Sequence, residues 1–477
     1  MSRVGTAHQK TPLVGGAHPT KLRLTFWLSA NGKLIIMTSK LSRRQMMSTL
    51  AAGIGGASVS GWFPAFADQL VSDPKRQRHC ILLWMSGGPT QTDTWDLKPN
   101  HENGGEFKEI QTASPGLRFS EHLPKLAAMS GELAVLRGLS TREGDHGRGT
   151  YLMRTGKVPL GPMQYPSIGA SLANQLGNKE LALPGYVSVG PFRAFNQDAF
   201  GAGFLGPRFG PLIVGASDIP GAMANGAQGF PNLKVQSLDR AAGIDEARMK
   251  KRLGIWKSLQ DDFLKTRTGA AKTHNTVYEG AVQLMNSKDA EAFDLSKEPE
   301  KLREEYGRTV FGQGCLMARR LIERGVAFVE VSLGTSSGGP GWDTHSDNFN
   351  AVQRLSTDLD AGWATLMTDL KDRGLLESTT IIWMGEFGRT PQINPNSGRD
   401  HFPGAWSAVL AGGGIAGGQA YGKTSESGME VVDGMVDEED LLSTLCHSLG
   451  LKGKSNMAPS GRPIPLAEGK AIEAVLA

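Results

Sequence analysis

The chain has 477 residues, 39% of them hydrophobic and 21% charged, a composition that fits a soluble protein of one large α/β domain or two to three smaller ones. Its formal net charge of +4 is concentrated at one end: residues 1–67 hold eight Lys or Arg and no Asp or Glu, leaving 43 basic against 47 acidic residues in the rest. A net-acidic body gives no support for a nucleic-acid partner, and three cysteines, Cys80, Cys315 and Cys446, are too few and odd in number for a disulfide framework.

In the N-terminal stretch, Ser42-Arg43-Arg44-Gln45-Met46-Met47 precedes a Gly/Ala-rich apolar run from Ser48 to Phe63, and Pro64-Ala65-Phe66-Ala67 follows before Asp68. Paired arginines, an apolar run and an Ala-x-Ala site are the layout of a twin-arginine export signal. A disordered basic tail accounts for the charge alone. The run is too short and too rich in Gly for a membrane span. Met37 gives a leader of ordinary length, so residues 1–36 read as an over-extended start. We expect a leader over 1–67 and a single α/β domain over 68–477. It would be carried folded by the twin-arginine machinery to the periplasm or beyond, without a stable membrane span.

Cys80–Met85 is a continuous apolar run, the pattern of a strand buried on both faces, and Ser86-Gly87-Gly88-Pro89 ends it. A short helix near Leu123 to Met129 leads to a second strand at Leu133 to Arg137. The loop from Thr141 carries Asp145, His146 and Arg148 into a helix. Residues 157–235 are rich in Gly and Pro, with one strand at Tyr186 to Val189. Arg240 to Ser287 reads as helical, with Leu253, Trp256, Leu259 and Phe263 on one face, and Glu298 to Arg324 as a second long helix. Ala327 to Leu333 is a strand, Phe349 to Leu375 a helix, and Ile381 to Met384 and Trp406 to Leu410 are strands. Asp437 to Leu449 is a closing helix capped by Asp437. Alternating strands and helices imply a doubly wound, mostly parallel sheet with helices on both faces.

Three loops gather the residue types that bind divalent metals or move protons. Gly341-Trp342-Asp343-Thr344-His345 puts Asp343 and His345 two residues apart after a strand, a spacing that lets both point the same way. Glu386 directly follows a buried strand, where a carboxylate is costly unless paired or metal-bound, and Arg389 is its nearest candidate partner. Asp400-His401 adds a further carboxylate and imidazole. Asp93 and Asp96 follow the first strand, where they are ligands or ordinary turn caps. His146 is a ligand, a nucleophile or an anion-facing group, with Arg148 beside it, or a histidine hydrogen-bonded in a loop. Gly412 to Gly418 lacks the Lys-Ser/Thr of a phosphate loop and reads as a turn. Cys315 to Arg319 has the Cys and Arg spacing of a sulfatase modification site but lies within a helix.

Taken together, Ser86-Gly87-Gly88-Pro89 with Asp93-Thr94-Trp95-Asp96, His146 with Thr155-Gly156, Gly341 to His345, Gly385-Glu386-Phe387-Gly388-Arg389-Thr390-Pro391 and Gly398-Arg399-Asp400-His401 resemble the exported family called domain of unknown function 1501. That family is grouped with the alkaline phosphatase and sulfatase superfamily. The resemblance implies an alkaline-phosphatase-like fold that binds one or two divalent ions (zinc, calcium, manganese or iron) and hydrolyses small-molecule or glycan phosphate or sulfate esters. It carries metal-ligand roles onto Asp93, Asp343, His345, Glu386 and His401. Aligning Thr155-Gly156 with the Thr-Gly after the sulfatase nucleophile puts His146 at the nucleophile position, with Arg148 facing the anion. No Ser or Cys stands there, so phosphohistidine chemistry, direct attack by activated water, and a non-catalytic glycan- or protein-binding role all remain open.

Overall fold

The computed structural model describes residues 23–30, 33–40, 77–215, 229–240, 242–267, 269–334 and 341–477. The twin-arginine segment and the Ala-x-Ala site lie outside the described residues. The chain divides into two units at Val71/Ser72. In the first, Arg23–Ala30 pairs antiparallel with Lys33–Lys40, Phe26 opposite Met37.

An eight-stranded sheet forms the centre of the second unit. Its strands in chain order are β1 (His79–Met85), β2 (Leu133–Leu139), β3 (Tyr186–Val189), β4 (Leu212–Val214), β5 (Phe328–Leu333), β6 (Thr379–Met384), β7 (Trp406–Gly412) and β8 (Gln419–Tyr421). Across the sheet they run β8-β2-β7-β6-β1-β5-β3-β4. β1 sits between β6 and β5 and is parallel to both. Only β7 is reversed, antiparallel to β6 and to β2, while the other pairings are parallel.

The principal helices are α1 (His146–Thr155), α2 (Ile168–Leu176), α3 (Glu246–Lys265), α4 (Ala270–Asn286), α5 (Val310–Ile322), α6 (Asn348–Asp372) and α7 (Glu438–Ser448). The alternation of β1 shows why the sheet needs cover on both sides. Ile81, Leu83 and Met85 join a core with Leu316 of α5 and Trp363 of α6. Cys80, Leu82 and Trp84 join the opposite core with Met153 of α1, Leu172 of α2 and Leu445 of α7. Both faces are therefore dry, as continuous apolar strands require. Cys80, Cys315 and Cys446 are buried and free, and burial pushes all three thiols up. Among the described residues no helix is long and apolar enough to cross a membrane.

Two helical expectations change. The helix read over Glu298 to Arg324 is two: Glu300–Tyr306 stops at Gly307, whose φ is 94°, and the Thr309 hydroxyl then accepts from Gly312 N to start α5. A left-handed glycine followed by a capping threonine is a stop and a start in sequence. The face read through Leu253, Trp256, Leu259 and Phe263 is split. Leu253 and Trp256 are half-buried, whereas Leu259 and Phe263 are exposed. Each three-residue step falls about 60° short of a full turn, so two of them carry the row off the buried side.

Behind α1 lies a buried ion pair. Arg154 Nη1 donates to Glu330 Oε1 of β5 at 3.1 Å, its Nη2 donates to Glu330 Oε2, and Tyr186 donates to the same oxygen at 2.8 Å. The guanidinium also lies 3.7 Å from the Phe200 ring centre. Both partners are buried, so losing either one strands a charge. Glu330→Gln or Arg154→Met is expected to lower unfolding stability by about 3–5 kcal/mol, read from denaturant melts; a loss under about 1 kcal/mol would contradict a dry pair.

Candidate metal centre

The strands β1, β5 and β6 are parallel neighbours, so the loops after them leave one sheet edge, where such sheets expose reactive groups. After β1 come Ser86, Gly87 and Gly88; after β5, beyond residues 335–340, comes Asp343; after β6 comes Glu386. His146 opens α1, with the Asp145 side chain capping that helix by accepting from Arg148 N at 3.0 Å. A two-residue ladder pairs Arg389 with His401 and brings the last imidazole in.

Asp343 Oδ1 is the point on which these groups converge. Arg389 Nη2 lies 2.5 Å from it, His345 Nε2 3.1 Å, His146 Nε2 3.2 Å and His401 Nε2 3.4 Å. The other nitrogen of each ring is already engaged. His401 Nδ1 donates to Gly144 O at 2.8 Å, and a carbonyl can only accept. His146 Nδ1 meets Glu386 Oε1 at 2.8 Å, and His345 Nδ1 meets Asp400 Oδ1 at 2.7 Å. With the Nδ1 protons fixed outward, each neutral ring turns an Nε2 lone pair toward Asp343. The Nε2 atoms of His345 and His401 are 3.0 Å apart, a repulsive contact between two acceptors unless a proton or cation lies between. His146 Nε2 is buried and off hydrogen-bonding geometry, and Glu386 Oε2 is buried with no hydrogen-bond partner. His146, Asp343 and His401 form a group able to hold a metal ion.

The electrostatics call for the same charge. Burial favours neutral His146, but Asp343 and Glu386 outweigh it and raise its pKa to about 9. Burial alone would raise Asp343, yet His146, His401 and Arg389 hold its carboxyl far below the usual range. Burial lowers the Arg389 pKa despite Asp343. Asp343, Glu386 and Asp400 against Arg389 leave two negative charges in excess when the imidazoles are neutral, which one divalent cation would balance.

Of the residues singled out from the sequence, the structure brings together His146, Asp343, His345, Glu386 and His401. Glu386, expected as a ligand, meets His146 Nδ1 and accepts from Gly87 N through Oε1, both at 2.8 Å. Asp93, also expected as a ligand, is a buried structural carboxylate. Arg399 grips both its oxygens at 2.7 and 2.8 Å, and Thr90 and Asn348 donate to Oδ2 at 2.8 and 2.9 Å. Asp96 accepts from Lys98 at 3.0 Å and from Thr424, another structural role. Arg148, expected to face an anion, turns to Glu143 instead, at 2.7 and 2.6 Å. Arg389 answers Asp343 rather than Glu386. Sequence reading did not give Asp400 its role, although its place beside His401 was a signal. Phe195, stacked on His146 with ring centres 4.1 Å apart, had no sequence signal.

A family model described as "Protein of unknown function (DUF1501)" matches residues 77–476. No curated protein matches. Among solved structures the chain is similar to the PsFucS1 sulfatase from Pseudoalteromonas sp., at 14% identity and TM-score 0.38 over 80% of this chain and 70% of that one. It is also similar to a protein in the alkaline phosphatase superfamily from Vibrio parahaemolyticus (12%, TM-score 0.33, 80% and 68%). A third is the phosphonate monoester hydrolase SpPMH from Silicibacter pomeroyi (13%, TM-score 0.32, 83% and 76%). Identity this low leaves each residue's role to its own geometry. The family match runs from two residues before β1 to the penultimate residue of the chain, and the protein therefore belongs to the DUF1501 family of proteins of unknown function.

Proposed function

We propose that this protein is a metal-dependent hydrolase of phosphate or sulfate esters, exported by the twin-arginine route to the periplasm or the cell exterior. The observation that carries the proposal is the convergence of three imidazole Nε2 atoms on Asp343 Oδ1, with every opposite Nδ1 held by an oxygen. Imidazole and carboxylate donors suit zinc, manganese or iron better than calcium, which takes oxygen ligands. His146, His345, His401 and Asp343 would hold the ion, and a bound ion would act as a Lewis acid toward an ester oxygen.

The chain's own residues divide the remaining work. Glu386 and Asp400 orient His146 and His345 and make them better donors, the part that outer carboxylates play around metal-bound histidines. Arg389 is spent on protein partners: Nε on Gly88 O at 3.0 Å, Nη1 on Arg399 O at 3.1 Å, Nη2 on Gly87 O and Asp343. It is therefore a fixed positive charge beside Asp343 rather than a hand for the substrate. Phe195 and Phe387 pack on His146, at 4.1 and 4.9 Å between ring centres, and keep water from that wall. The His345 side chain is 46% exposed, so an ester would approach from that side.

Elemental analysis of the full chain, purified without chelator and then incubated with zinc, manganese, iron or calcium, is the direct test. Near-stoichiometric metal is expected, lost in His401→Ala, and bound about 10–100-fold more weakly in Glu386→Gln. No metal in the folded wild-type chain under any of these conditions would sink the metal reading. Asp93→Asn is expected to lower unfolding stability by about 3 kcal/mol while metal stoichiometry is kept; loss of metal at unchanged stability would return Asp93 to the ligand set. With metal bound, turnover of aryl phosphate or sulfate esters is expected to fall at least about 1000-fold in Asp343→Asn. A metal-loaded chain that turns over no such ester but binds polysaccharide would favour a non-catalytic binding role.

A further inference from the structure

The pair of helices α3 and α4 has no part in the metal centre. Trp256 of α3 stacks on Tyr278 of α4 with ring centres 4.2 Å apart. Met249, Leu253, Trp256, Gln260 and Leu264 form a half-buried seam, and no residue of the 20 in α3 is fully buried. An isolated helix is marginal in water and draws most of its stability from packing. Gly254 weakens this one by about 1 kcal/mol, and a Cβ there would meet nothing within 4 Å.

A second seam runs along the outer side of α3 to its capping residue: Arg248, Arg252, Ile255, Leu259, Asp262 and Thr266, with steps of 4, 3, 4, 3 and 4 residues. That is the spacing of a coiled-coil seam. It is exposed throughout, Ile255 to 55% and Leu259 to 68%. The order of residue types along it decides what fits. Turned antiparallel about a two-fold axis beside Lys257, the seam complements itself. Ile255 meets Leu259 of a second copy, Arg252 meets Asp262, and Arg248 meets Thr266. A parallel pairing would oppose Arg252 with Arg252 and Asp262 with Asp262, so charge selects the antiparallel arrangement. Asp262 is engaged by Lys265 at 2.7 Å, a pair exposed on both sides, and such pairs are weak enough to exchange partners.

We propose that the outer seam of α3 is the interface of a two-fold homodimer, closed by Ile255–Leu259 contacts at its centre and an Arg252–Asp262 pair on either side. An isologous contact uses the same patch on both copies, and the sequence of this seam meets that requirement.

Sedimentation equilibrium of the full chain tests it. The wild-type chain is expected to be dimeric at micromolar concentration, and Leu259→Glu to raise the dimer dissociation constant at least about tenfold. Arg252→Asp and Asp262→Arg are each expected to weaken the dimer about tenfold, and the double variant R252D/D262R to recover it, because both swapped pairs re-form across the axis. These charge variants are on an exposed face, so circular dichroism should show the helices intact. A wild-type monomer at about 100 μM, a dimer indifferent to Leu259→Glu, or a double variant as weak as the single ones would each overturn the proposal.

Discussion

Asp343 Oδ1 cannot be left alone among its neighbours. A guanidinium and three imidazole nitrogens lie within 3.4 Å of it, each delivered by a different piece of chain: Arg389 after β6, His345 two residues beyond Asp343 itself, His146 at the start of α1, His401 in the late ladder. The carboxylate is therefore the electrostatic knot of the sheet edge. Without its charge Arg389 would keep only three carbonyls and, at 3.5 Å, His345 Nε2 as hydrogen-bond partners, and the Nε2 atoms of His345 and His401 would still face each other at 3.0 Å. The loops hold this geometry because their backbones are pinned elsewhere, which is how a preorganised site keeps like groups together.

That pinning explains the motif letters. Two buried arginines thread the loops. Arg389 ties to Gly87 O, Gly88 O and Arg399 O, and Arg399 ties to Asp93, Asn103 O, Thr390 O and Pro391 O. A carbonyl takes a guanidinium N–H without needing a charge, so each arginine fixes several turns at once. The glycines between them mark where backbone meets backbone or a bulky group. A Cβ on Gly388 would sit 2.3 Å from Trp406 Cβ, and one on Gly398 would sit 2.0 Å from His345 O. The spacing Gly-Arg-Asp-His thus delivers close approach, a strut, a carboxylate that holds His345 and an imidazole aimed at Asp343 in four successive residues.

This division of roles marks what the sequence could and could not convey. The strands were legible because a strand buried on both faces writes an unbroken apolar run, as in Cys80 to Met85. The gathering of carboxylates and imidazoles at strand ends was legible for a related reason: a charge directly after a buried strand needs an answer. Which charge answers which was not. Asp93 and Glu386 look alike, each an acid after a parallel strand. Asp93 is matched by Arg399, 306 residues away, and Glu386 by a histidine 240 residues before it. Arg148 failed for the opposite reason, since Glu143, five residues earlier, satisfies it locally. The long helix over 298–324 was a missed glycine, and the split face of α3 followed from counting threes where the helix turns by 3.6 residues.

The site is asymmetric, and the asymmetry has a backbone cause. His146 and Glu386 lie against the sheet under Phe195 and Phe387, rigid and largely dry. His345 and Asp400 are on the open rim. Three non-glycine residues among those described have positive φ, and two of them, Asp347 at 49° and Ser397 at 54°, meet on this rim. Asp347 N donates to Asn396 O at 3.2 Å and Asn348 N to Ser397 O at 2.9 Å. The Asn394 side chain bridges His345 O at 3.0 Å and Asp400 Oδ1 at 3.2 Å. Backbone in that region costs on the order of 1 kcal/mol per residue and persists where surrounding contacts impose it. Here the contacts that impose it are those that hold His345 and Asp400 together. The strain is therefore spent on the histidine that the sheet and core do not already fix, on the half of the site that is open to solvent.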